Sequence, residues 1–154
     1  MIKIFRNKKE LNLKIKMGNT LLVSGRKKTG EKILLKFAKR LQKSTNKNTK
    51  NIIQHAIINV TPTFKLNEQV VKKGKRKAVR VSPSFLVNDS LRLMTSLKSI
   101  KRAATKNQKP VQFYEKLVNE FISSFEMKGS AIDAKNELQK QIVFNKRYLS
   151  KFRW

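Results

Sequence analysis

The chain of 154 residues suits one domain with room for a protruding arm, and its 39% hydrophobic content is enough for a core, so a wholly disordered chain is excluded. Its 37 Lys plus Arg against 9 Asp plus Glu give a formal net charge of +28 and a pI near 10.9. That self-repulsion calls for a polyanion partner, with nucleic acid the natural candidate and an anionic membrane the general alternative. The absence of cysteine excludes disulfides and thiolate zinc sites, and no apolar run approaches the roughly 18 residues of a spanning helix.

Residues 1–10 are polar and basic without clear period and read as an extended arm, in which Lys3, Arg6, Lys8 and Lys9 are expected to order on RNA. The start, Met1 to Arg6, has no apolar stretch followed by a small-residue cleavage site, so no secretory signal is expected there. Leu11, Ile15, Leu21 and Leu22 suggest a short helix from Leu11 to Val23, interrupted by Gly18. Ser24 to Lys28 is a basic turn. Thr29 is placed to cap the next helix, whose stripe is Ile33, Phe37 and Leu41, joined by Leu34 and Ala38. Ser44 to Lys50 is a solvated loop. Thr49 then caps a third helix through Ile52, Ile53, Ala56, Ile57 and Val60, which should stop near Thr61 because Pro62 biases its predecessor away from the helical region.

The period then changes from helical to alternating. Thr63-Phe64-Lys65-Leu66 and Ala78-Val79-Arg80-Val81 flank a basic run, which predicts a β-hairpin at about 63–81 with its tip around Gly74. Pro83 is expected at the start of a helix striped by Leu86, Leu93, Leu97, Ile100 and Ala104. Lys106 to Lys109 is a turn. Pro110 opens the best-patterned helix, with Phe113, Leu117, Phe121 and Phe125 at steps of four, and Gly129 is expected to end it as a left-handed cap. Ser130 starts a last helix through Ala131, Leu138 and Ile142, running into Phe144, Tyr148, Phe152 and Trp154. The fold class is thus mainly α: a bundle of about six helices with a protruding β-hairpin arm, residues 11–154 forming one RNA-binding domain without internal repeat.

Cations cluster at several places. Arg26, Lys27 and Lys28 precede a helix whose free N–H groups attract the same anions, which makes a phosphate site or, read plainly, a solvated basic turn. Lys72, Lys73, Lys75, Arg76 and Lys77 form the densest cluster, at the hairpin tip, where an arm can reach a groove that a globular surface cannot. Arg80 lies on the return strand and either pairs with phosphate or faces water. Arg92, Lys98, Lys101 and Arg102 recur at helical spacings without forming one line. Lys128, Lys135, Lys146, Arg147 and Arg153 would line a C-terminal basic surface. Phe113, Phe121 and Phe125 read as core, Phe64 as a hairpin residue packed on helices ahead of one stacked on a base, and Trp154 as either packing or stacking on a base.

Chemistry has little support. His55 stands alone in an Ile-rich helix, and the acids are scattered, with no pair suited to a two-metal nuclease. Gly25 and Gly30 lack the P-loop pattern. The chain therefore reads as a non-enzyme with no cofactor, no metal and no small-molecule substrate. A DNA-binding protein would want a recognition helix with polar base-reading residues, and none stands out. A membrane-active protein would want helices amphipathic in isolation, whereas these apolar faces need one another.

Three stretches resemble one family. Asn19-Thr20-Leu21-Leu22-Val23-Ser24-Gly25-Arg26-Lys27-Lys28-Thr29 looks like a helix end, a Gly-basic-basic turn and a helix start. Ala56-Ile57-Ile58-Asn59-Val60-Thr61-Pro62-Thr63 and Val79-Arg80-Val81-Ser82-Pro83 resemble an Asn-Val-x-Pro entry to a hairpin and a basic-Val-x-Pro exit. Asn119-Glu120, then Lys128-Gly129-Ser130-Ala131, Phe144-Asn145-Lys146-Arg147 and Phe152-Arg153-Trp154 resemble Asn-Glu, Lys-Gly-Thr-Ala and Tyr-Arg-Trp signatures. In this order, from Asn19 to Trp154, they are similar to the universal small-subunit ribosomal protein seven family. The resemblance implies binding to the 3′ major domain of small-subunit rRNA and an early role in head assembly. It also implies neighbours among the head and platform proteins, and nearness to exit-site tRNA and the mRNA exit, with Lys73, Gly74, Lys75 and Arg76 closest to tRNA and mRNA.

Departures from the pattern qualify this. Ile132-Asp133-Ala134-Lys135 keeps one Lys and adds an acid where the family has a basic pair. Ser84-Phe85-Leu86 lacks an Arg-Arg pair, Arg92-Leu93 lacks a Trp, Thr105 to Pro110 is longer than usual, and the tail of many bacterial members beyond Trp154 is missing. The excess of Lys over Arg, with abundant Asn and Ile, matches an AT-rich coding bias. Together these favour a mitochondrial, organelle-encoded member, ahead of a plastid or bacterial one.

Overall fold

An apolar stripe on a helix is stable only when a second stripe covers it, and this chain carries several that cover one another. The computed structural model describes residues 9–22, 25–45, 48–73, 76–106 and 110–146. Among them lie α1 (Lys9–Leu21), α2 (Lys27–Ser44), α3 (Thr49–Val60), β1 (Phe64–Lys73), β2 (Arg76–Phe85), α4 (Asp89–Lys106), α5 (Phe113–Phe125) and α6 (Ser130–Phe144). The expected class, mainly α with a β-hairpin arm, is the observed one.

The best-patterned helix sits at the centre. α5 packs against α2, α3, α4 and α6, while α1 covers α2 and α4. Its Leu117, Val118 and Phe121 are buried, and the Phe121 ring lies 5.0 Å from that of Phe37 on α2. Leu41, Ala56, Val60, Ile100 and Ala131 bring the other helices into the same core. Phe113 and Phe125 are half-buried at its margin, and His55 meets the Phe125 ring edge-on at 6.1 Å.

Helix ends depart from expectation in instructive ways. Lys9 and Glu10 belong to α1, not to an arm; residues 1–8 lie outside the described residues. α2 begins at Lys27, two residues before Thr29, with Arg26 at the cap and no side chain bonded there. α3 is capped by Asn48, whose side chain accepts from the Lys50 N–H at 3.1 Å, so Thr49 is its first helical residue. Its C-terminus is as expected: Thr61, ahead of Pro62, is extended at ψ 119°. α5 starts at Phe113 with Pro110 in the preceding bend.

The arm is longer than 63–81. β1 and β2 pair antiparallel from Phe64↔Phe85 to Lys73↔Arg76, a ladder of roughly 30 Å at ~3.4 Å per residue. Pro83 does not open a helix; it stands in β2 opposite Leu66, and α4 begins at Asp89. A two-stranded ribbon has an outer edge on each strand, so a residue without an N–H is tolerated there. Leu86, assigned to the helical stripe, is buried but precedes the helix, and its N–H closes the ribbon base on Thr63 O at 3.0 Å. The Phe64 and Phe85 rings pair at 4.1 Å across that base, which abuts α6 through β1. Phe64 therefore packs within the fold.

The α5–α6 junction corrects the expected cap. Met127 takes the left-handed conformation (φ 59°), with Met127 N–H on Ser124 O at 3.2 Å and Lys128 N–H on Ser123 O at 2.8 Å, the paired bonds of a Schellman end. Gly129 instead precedes α6 at φ 98°, ψ 164°, a region open essentially to glycine alone. A Cβ there would meet Ser123 Cβ at 3.0 Å and Glu120 Oε1 at 3.1 Å. Gly129→Ala is expected to destabilise the fold by about 1–3 kcal/mol, read as a lower midpoint in urea unfolding, whereas Gly18→Ala, in open helix, should not lower it.

Candidate nucleic-acid interface

Acids near a helix N-terminus stabilise it and cations do the opposite. α2 breaks this rule: its first turn carries Lys27 and Lys28 and no acid, Arg26 stands at the cap, and all three cations are exposed. Gly25, at φ 73°, supplies the turn that sets them there. A local preference violated in this way suits a site that an anion completes.

The same helix carries a feature that sequence reading passed over. Lys28, Lys32, Lys36, Lys39 and Lys43 follow one another at steps of four, four, three and four, and all are exposed. Helical periodicity puts them on one face, a line of ammonium groups roughly 22 Å long at 1.5 Å per residue. Lys36 Nζ lies 5.7 Å from the centre of the Tyr114 ring, and Arg40 Nε lies 3.8 Å from Glu115 Oε1. The spacing is legible in the chain, on the face opposite the apolar stripe of Phe37 and Leu41.

At the far end of the arm the register sets Lys72 opposite Lys77 and Lys73 opposite Arg76, while Arg80 stands opposite Gln69. Gly74 and Lys75 fall outside the described residues, as do Lys3, Arg6, Lys8, Arg147, Arg153 and Trp154. Lys9 begins α1. Arg102, Lys128 and Lys146 are exposed.

Three half-buried cations of the expected interface also hydrogen-bond within the protein. Half-buried Arg92 donates from Nε to Leu86 O at 2.5 Å, tying α4 to the end of the ribbon. Lys101 donates to Thr20 O at 2.6 Å and so meets the carbonyl end of α1. Lys135, on α6, donates to Asn59 O at 2.6 Å. Asn59 Nδ2 in turn donates to Ser124 O at 3.0 Å and Phe125 O at 3.2 Å, satisfying the last carbonyls of α5. Glu120 Oε1 accepts the Ala131 N–H at 2.9 Å and places a carboxylate at the start of α6. Asn59, Glu120 and Lys135 thus join α3, α5 and α6, although sequence reading placed Lys135 on the basic surface.

Burial lowers the Lys135 pKa from its usual value because desolvation penalises the charged form. Among the described residues no three His, Cys, Asp or Glu side chains could hold a metal ion, and no helix is long and apolar enough to cross a membrane.

A helical bundle with a cationic ribbon and a lysine-lined helix suits a protein that binds a polyanion. The chain belongs to the family described as Ribosomal protein S7p/S5e, which matches residues 3–146, a family of structural constituents of the small ribosomal subunit and not of enzymes. Similar proteins include "Small ribosomal subunit protein uS7c" of Euglena longa, 26% identical over 136 residues that cover 86% of this chain and 74% of that one. "Small ribosomal subunit protein uS7" of Pelagibacter ubique is 25% identical, covering 90% and 85%. "Small ribosomal subunit protein uS7m" of Reclinomonas americana is 25% identical, covering 93% and 86%.

Because the folded chain holds the Lys135 proton less tightly than the unfolded chain, the unfolded state binds more protons between the two pKa values, and stability rises with pH there. Wild type is therefore expected to gain stability relative to Lys135→Met as pH rises from neutrality toward 10.5, and the difference should flatten above that value. Parallel urea titrations of the two proteins across this range measure it.

Proposed function

We propose that this chain binds the 3′ major domain of small-subunit rRNA, organises the assembly of the head, and lies near exit-site tRNA and the mRNA exit beside proteins of the head and platform. The observation that carries the reading is the register of the arm, whose last two pairs set like charges opposite one another. Directly opposed like charges destabilise paired strands in water. A phosphate backbone reverses the sign of that interaction, and an arm of roughly 30 Å reaches beyond the bundle. Lys72, Lys73, Lys75, Arg76 and Lys77 engage tRNA, mRNA or rRNA phosphates there, with Arg80 nearer the bundle.

Arg26, Lys27 and Lys28 with the lysine line of α2 form a second contact, and Arg102, Lys128, Lys146, Arg147 and Arg153 extend the surface. Lys3, Arg6, Lys8 and Lys9 add contacts from the N-terminal end. Binding is by charge and shape, with cations fixing the relative orientation of RNA helices and few contacts to base edges. The ribosome we assign is the mitochondrial one, in the matrix, on the coding bias and the residue departures at Ser84 to Leu86, at Arg92-Leu93 and at Ile132 to Lys135.

Neutralising about ten phosphates gives a log–log salt slope of roughly −7 to −9 for binding to a 3′ major domain fragment. Alanine at Arg26, Lys27 and Lys28 together should weaken binding and make that slope shallower by roughly 2 to 3. Filter binding over a salt series checks both; a flat salt response, or equal affinity for duplex DNA, would overturn the RNA reading. The protein should also co-sediment with small subunits from purified mitochondria, and its recovery from plastids or a bacterial cytoplasm instead would overturn the compartment alone.

A further inference from the structure

The positive charge is not spread evenly. From Phe113 to Phe144 the acids Glu115, Glu120, Glu126, Asp133 and Glu137 outnumber Lys116, Lys128, Lys135 and Lys140 by one, in a chain whose net charge is +28. Lys135 is moreover engaged with Asn59 O. On α6, Asp133, Glu137, Lys140 and Phe144 follow at steps of four, three and four, and all four are exposed. They share one face, opposite the packed residues Ala131, Leu138 and Ile142.

Phe144 stands on the centre of that outer face at 83% exposed, with Val143 beside it at 64%. An aromatic ring there offers a large apolar area to a partner. Glu137 and Asp133, about two and three turns before it, repel phosphate, so this face is unlike that of α2, where every side chain of the stripe is a lysine. Anionic lipid is disfavoured for the same reason.

We propose that the outer face of α6 is a protein-docking surface that takes a basic segment of a neighbouring ribosomal protein. Arg or Lys of that segment meets Asp133 and Glu137, and a guanidinium or apolar side chain covers Phe144 and Val143. Lys140 offsets one carboxylate, so charge selects the partner and the apolar end carries most of the contact. The inference rests on the ribosomal reading above, which supplies a setting crowded with basic protein segments.

The test uses the full chain carrying Phe144→p-benzoylphenylalanine, assembled into small subunits and irradiated, with the cross-linked peptide identified by mass spectrometry. The expected product joins position 144 to a Lys- or Arg-bearing peptide of another protein. Adding Asp133→Asn and Glu137→Gln should lower its yield by roughly threefold to tenfold, and Asp133→Lys with Glu137→Lys further still, with affinity for the rRNA fragment unreduced. A cross-link to an rRNA nucleotide, to residues 147–154 of the same chain, to a second copy or to a peptide without cations would overturn the proposal. So would no cross-link at all, or a yield indifferent to the two carboxylates. Failure of the unsubstituted chain to enter small subunits would count instead against the ribosomal reading.

Discussion

The burial of α5 among four other helices is the constraint on which the rest of the molecule depends. Leu117, Val118 and Phe121 face inward from it, and Phe37, Leu41, Val60, Ile100 and Ala131 close around them. A core of this size must hold together a chain that repels itself. It can do so because the cations lie on the outer faces of the same helices, where water and counterions screen them. α2 illustrates the division: Phe37 and Leu41 are buried on one side while its line of lysines is exposed on the other.

Polar groups at the helix ends complete that frame. The side-chain amide of Asn59 meets the carbonyl end of α5, the carboxylate of Glu120 meets the amide end of α6, and the ammonium of Lys135 meets the carbonyl of Asn59. Each group has the sign that a helix terminus favours. Two of the stretches that carry the family resemblance, around Asn59-Val60-Thr61-Pro62 and from Asn119-Glu120 to Gly129-Ser130-Ala131, are therefore joints of the fold. Gly129 lets the Glu120 carboxylate come close, since any side chain there would crowd it.

Charge is also zoned. The N-terminal end of α2, its lysine line and the far end of the ribbon are cationic, whereas the stretch from Phe113 to Phe144 is close to neutral, ahead of the cations that follow from Lys146, and exposes an aromatic ring. In a ribonucleoprotein such zoning lets one small protein present different surfaces to nucleic acid and to its protein neighbours.

Element types, their order and the hairpin were legible in the chain because apolar periodicity, 3.6 in helices and 2 in strands, states which face is buried wherever it recurs over several turns. The preference for a polyanion was legible too, since net charge needs no fold. Several helix ends were not, because Pro and Gly carry the same local signal in different settings. Pro83 suits a first helical turn as well as a ribbon edge, and Gly129 suits a C-cap as well as the approach to the next helix. The roles of individual cations were decided only by tertiary structure. Lys101 and Lys135 look like any surface lysine in sequence, yet carbonyl oxygens 79 to 81 and 76 residues away hold them. Which lysine is free to meet phosphate depends on what packs beside it, and that is a property of the folded bundle alone.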